Sequence, residues 1–115
     1  MATIKSFTDI SQSKKLAEIL PHESADMWYD NDGESIAGRP EVRCCSFIGL
    51  ASMNIPCWSL AALLSILPDY NLQTNTDRTV FVICESKKPI ISDAYNNPVD
   101  ACYEMILKLH EQKLL

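Results

Sequence analysis

The stretch that most constrains the fold is the run NNPVDACYEMILKLHEQKLL at residues 96–115. Asn97 can accept a hydrogen bond from an unpaired first-turn amide, Pro98 suits the first helical position, and Asp100 stands at the third. Cys102, Met105, Ile106 and Leu109 then recur at three- and four-residue spacing, which predicts a helix with one buried stripe. A one-sided helix needs an apolar surface to lie on. Val80, Phe81, Val82 and Ile83, β-branched and aromatic, read as a central strand that can supply one. A helix buried on one face against strands is the α+β arrangement.

Two further helices are expected. The first covers residues 9–20, where Asp9 and Gln12 have the spacing of a capping box. Leu16, Ala17, Ile19 and Leu20 form its apolar side, Lys14, Lys15 and Glu18 face water, and Pro21 stops it. The second covers residues 56–67 in NIPCWSLAALLSILP, with Pro56 at its start and nearly every later position apolar. A helix of that composition is buried on most sides or packs against a partner chain.

SADMWY at 24–29 and VRCCSFIGL at 42–50 read as strands, with the DNDG turn following the first. A hairpin joining them has an unusually long connection. KKPIISDAY supplies a shorter strand, with Lys88-Pro89 marking a bend or an edge. The expected fold is one small α+β domain over residues 1–115, about three helices packed on a short, mostly antiparallel sheet.

Composition narrows the function classes. Fifteen acidic residues against ten basic ones leave a net charge of -5, so no basic stripe is available for phosphates and no nucleic-acid partner is expected. No run approaches the roughly 20 apolar residues of a membrane span, and none is expected to enter one. The five cysteines, Cys44, Cys45, Cys57, Cys84 and Cys102, lie mostly in apolar surroundings, as reduced core thiols do. Their odd number and spacing do not make a disulfide framework, and a cytoplasmic setting is the expectation.

Cys57 is the one candidate nucleophile. In the first turn of a helix it would meet unpaired amides and the positive end of the helix dipole, which stabilise a thiolate. His22 and His110 are the two residues able to serve as its base. The Cys-Trp step is similar to one in papain-like proteases. However, SMNIPCWS lacks that family's glutamine- and glycine-containing approach, and too little chain follows for its distant histidine and asparagine. Packing of Cys57 and Trp58 into the core is the better account.

Glu23, Asp26, Asp30, Asp32 and Glu34 cluster around the acidic turn. Asp30, Asp32 and Glu34 could offer oxygen ligands to a hard cation. Placing Asp30 and Asp32 at the third and fifth positions of a calcium loop, though, leaves Trp28 at the first, where a carboxylate is required. A solvated turn fits better. The chain shows no Cys-x-x-Cys pair, no metalloprotease helix and no glycine-rich phosphate loop, so no cofactor is expected. Trp28 and Tyr29, beside the acidic turn, are candidate contact residues, since aromatic anchors rimmed by charge are common at interfaces.

QSKKLAEILPHESADMWY, IPCWSLAALLSILP with DYNLQ, and NPVDACYEMILKLHEQKLL together resemble a group of short uncharacterised proteins from Bacteroides-type gut bacteria and their mobile elements, including phages. That resemblance implies a bacterial cytoplasmic or phage-associated setting and brings no activity, cofactor or catalytic residue with it. The resulting expectation is a noncatalytic protein-interaction or assembly protein, with a homodimer or a protein partner. The alternative is a small thiol enzyme using Cys57 with His22 or His110.

Overall fold

The computed structural model describes residues 5–29, 41–42, 55–85 and 89–114. It is an α+β protein with three α-helices packed on antiparallel strands, as the sequence predicts. The strands form two three-stranded sheets. The chain gathers into two compact units, one spanning Phe7–Ala62 and the other joining Met1–Ser6 to Leu63–Leu115.

In the unit spanning Phe7–Ala62, α1 (Ile10–Ala17) begins at Asp9 with both halves of the capping box formed. Gln12 N donates to Asp9 Oδ1 at 2.8 Å, and Asp9 N donates to Gln12 Oε1 at 3.2 Å. A single 3₁₀ turn over His22–Ser24 follows Pro21. β1 (Met27–Tyr29) is the central strand of the first sheet, flanked by β2 (Glu41–Val42) and β3 (Ile55–Cys57). Met27 pairs with Val42 and Trp28 with Glu41, while residues 43–50 of the expected second strand lie outside the described residues. Helix α1 packs on β3, and Leu16, Leu20, Ala25, Tyr29, Cys57 and Trp58 are buried.

The second helix is shorter than the sequence predicts. Pro56 and Cys57 belong to β3, and α2 runs over Leu60–Ile66. Pro56 sits opposite Trp28 on an edge strand, where a missing N–H is tolerated. Ser59 takes over the start of the helix: its Oγ accepts from Ala62 N at 3.2 Å. Ser59 rather than Pro56 starts the helix, because the serine oxygen can satisfy an orphan amide.

In the other unit, β4 (Tyr70–Thr74), β5 (Val80–Cys84) and β6 (Ile90–Ile91) form the second sheet with β5 in the middle, as expected of the Val80–Ile83 run. Helix α3 (Pro98–Glu111) packs on β5. Asn97 caps it, accepting from Asp100 N at 2.8 Å. All four residues of the predicted stripe, Cys102, Met105, Ile106 and Leu109, are buried, together with Val82 and Cys84 of β5. Lys5 reaches Asp100 at 2.7 Å in a partly exposed ion pair.

Candidate functional site

Cys57 lies at the end of β3, fully buried, within a compact polar network. Thr8, itself fully buried, is the hub. Its carbonyl accepts from Tyr29 Oη at 2.6 Å and from Cys57 Sγ at 3.4 Å. Its hydroxyl donates to Cys57 Sγ at 3.6 Å and accepts from Trp58 N at 3.2 Å and from Ser13 Oγ at 2.7 Å. Among the described residues no buried side-chain nitrogen or oxygen lacks a partner. Such a closed network anchors the segment before α1 to the end of β3.

This setting keeps Cys57 a thiol. Burial is the largest influence and raises its pKa, outweighing the hydrogen bonds from Thr8, Ser13 and Tyr29, which act the other way. The helix-dipole argument does not apply, because Cys57 precedes α2 and the first-turn contact is made by Ser59. Tyr29 is likewise held protonated, first by burial and then by its neighbour Cys57. His22 is exposed in the 3₁₀ turn, and His110 is exposed in the last turn of α3. The Cys57 sulfur bonds to Thr8 at 3.4 and 3.6 Å, and Ser13 and Tyr29 are its other hydrogen-bonding neighbours.

Tyr29, expected as a contact residue, lies in the core of the protein. It is 2% exposed, and alternation along β1 turns it inward, where Thr8 takes its hydroxyl. Trp28, its neighbour on the strand, is half-buried. The other tryptophan, Trp58, is fully buried and donates from Nε1 to Ser24 Oγ at 2.9 Å. Asp26 is occupied by α2: its carboxylate accepts from Ser59 N at 2.9 Å and from Ser59 Oγ at 2.5 Å. Asp30, Asp32 and Glu34 lie outside the described residues, as do Cys44 and Cys45. Among the described residues no group of three or more His, Cys, Asp or Glu side chains could hold a metal ion, and no helix is long and apolar enough to cross a membrane.

The accessible feature that the sequence does not mark as a contact surface is β4. All five of its residues are exposed, with Tyr70 at 40% and Leu72 at 38%. It pairs with β5 in an unbroken register from Tyr70–Cys84 to Thr74–Val80. Glu85 N donates to Asp69 O and Asn75 N to Thr79 O, which sets the phase of the ladder. Residues 69, 71, 73 and 75 therefore bond to β5, and Tyr70, Leu72 and Thr74 turn their N–H and C=O groups to the outer side. Among the described residues no strand pairs there.

A firm hairpin holds this strand. Residues 76–78 form a three-residue connection in which Arg78 takes a left-handed conformation, φ 69°. Asp77 accepts from the backbone and the hydroxyl of Thr79, which also lowers the Asp77 pKa. The sequence did carry a signal: YNLQTNT, residues 70–76, is a run without charge between Asp69 and Asp77. Set against known protein families, curated proteins and solved structures, the chain finds no match.

Proposed function

We propose that this chain is a noncatalytic protein that acts through protein contact or assembly, in a bacterial cytoplasmic or phage-associated setting. The observation that supports this reading is β4, a regular edge strand exposed along its whole length and free of charged side chains. Natural proteins blunt such edges with lysine, proline, bulges or very short strands, because an open ladder recruits another strand. An edge left open is a surface for β-strand addition, in which main-chain hydrogen bonds supply affinity. Thiol chemistry at Cys57 has less behind it, since the sulfur is buried, protonated and committed to Thr8.

The reading is tested with a photo-crosslinking amino acid at Gln73, an exposed β4 position, in cells that produce the protein. A discrete adduct, with a second copy or with another protein, is expected. It should disappear when Leu72→Lys is added. Irradiation that yields no adduct overturns the proposal.

A further inference from the structure

We infer that β4 is the seam of a symmetric dimer, pairing antiparallel with β4 of a second copy about a two-fold axis at Leu72. This rests on the interaction reading above and names the partner.

Three observations lead to it. The first is the contrast among the sheet edges. β3 carries Pro56, and Phe7 bridges to Ser59 just beyond it. β6 has only two residues, and the outward carbonyl of Ile91 accepts from Lys108 Nζ at 3.1 Å. β4 has five residues, no proline, no charge and no bulge. The β6 edge is thus short and in part occupied, whereas among the described residues the β4 edge is open along five residues.

The second observation is the phase of the ladder. Tyr70, Leu72 and Thr74 are the residues whose backbone faces outward, and they are symmetric about Leu72. Antiparallel pairing of two copies sets Leu72 opposite Leu72, and Tyr70 opposite Thr74. Each of these is a hydrogen-bonded pair, so the outward N–H and C=O groups of both strands are satisfied together. Directly opposite side chains share a face, so the two Leu72 side chains meet and each Tyr70 covers a Thr74.

The third is charge. Each copy carries -5, yet no paired residue is ionised, so the seam itself brings no like charges together. An uncharged edge also offers a foreign strand no ion pair to select it, whereas a copy supplies matched length and register. The contact is isologous and closes at two copies, because the two-fold pairing uses the β4 edge of both.

Analytical ultracentrifugation of the purified protein across a concentration series, combined with residue-resolved hydrogen exchange, tests the assignment. A monomer–dimer equilibrium with no higher species is expected. The Tyr70, Leu72 and Thr74 amides should gain protection as the dimer fills, while those of Asn71 and Gln73, already bonded to β5, change little. Leu72→Lys and Leu72→Glu should each weaken association by about tenfold or more, since like charges then stand opposite each other. An equimolar mixture of the two should associate again.

A wild-type protein that stays monomeric, with the outward amides unprotected at every concentration, overturns the self-pairing. If the Gln73 adduct is then a different protein, the interaction reading stands without it. If there is no adduct, both fail. A dimer that persists in both charged variants with those amides unprotected also overturns it.

Discussion

At the residue scale, the informative group is the Thr8 network, because it makes the Cys57 thiol and the Tyr29 hydroxyl structural. Cys57, Cys84 and Cys102 are all free and buried. In the folded protein they should resist alkylation near pH about 8.5 and react only on unfolding, read by isotope-coded labelling and mass spectrometry. Rapid labelling of Cys57 without unfolding would contradict the buried network. Burial, reinforced by nearby Cys84, pushes the Cys102 thiol from 9.0 up to about 12. A thiol whose pKa is raised by folding holds its proton more tightly in the native state. Its contribution to stability is therefore complete below pH 9.0 and is lost as pH rises towards about 12. Urea midpoints should fall as pH rises above 9.0, and Cys102→Ala should flatten part of the slope. Tyr29→Phe deletes the donor to Thr8 O and should cost about 1–3 kcal/mol by urea denaturation, by leaving a buried acceptor short of a partner.

At the element scale, boundaries are decided by single polar side chains. Ser59 is tied both to Ala62 N and to the Asp26 carboxylate, so Ser59→Ala should destabilise the protein by about 1–2 kcal/mol in thermal or urea unfolding. Arg78 occupies a left-handed conformation that disfavours any side chain with a Cβ. Arg78→Gly should raise stability by up to about 1 kcal/mol, the relief of strain being partly offset by the entropy of the more flexible unfolded chain. An unchanged or lower midpoint would show that the Arg78 side chain contributes more than its backbone costs. These two changes act at opposite ends of the logic. One removes the oxygen that starts a helix, and the other eases the turn that aligns β4 with β5.

At the scale of the whole molecule, net charge and the neutral seam act against each other. Two copies at -5 repel over a distance comparable to the Debye length, while the β4 contact itself is uncharged. Raising salt from about 10 mM to about 150 mM should therefore strengthen dimerisation, in contrast to an interface built on ion pairs. Sedimentation at the two ionic strengths checks the sign. Weaker association at the higher salt would mean that opposite charges meet across the contact, which the β4 pairing does not contain.

Helix caps and buried stripes were legible in the sequence because both are set by neighbours within one or two turns. Asp9 with Gln12, and Asn97 with Asp100, satisfy amides three residues away, and the 102–109 stripe follows from helical periodicity alone. The central place of the Val80–Ile83 run followed from its composition. Position 57 could not be settled this way. An apolar Pro-Cys-Trp run is compatible with a helix start or an edge strand, and the choice was made by partners far along the chain, Thr8, Asp26 and Trp28. The same holds for Tyr29, whose burial depends on Thr8, and for β4, whose sequence shows a lack of charge but not that its outer edge lies open. Local hydrogen bonding is encoded in short spacings, whereas exposure is a property of the surface left after distant segments have packed.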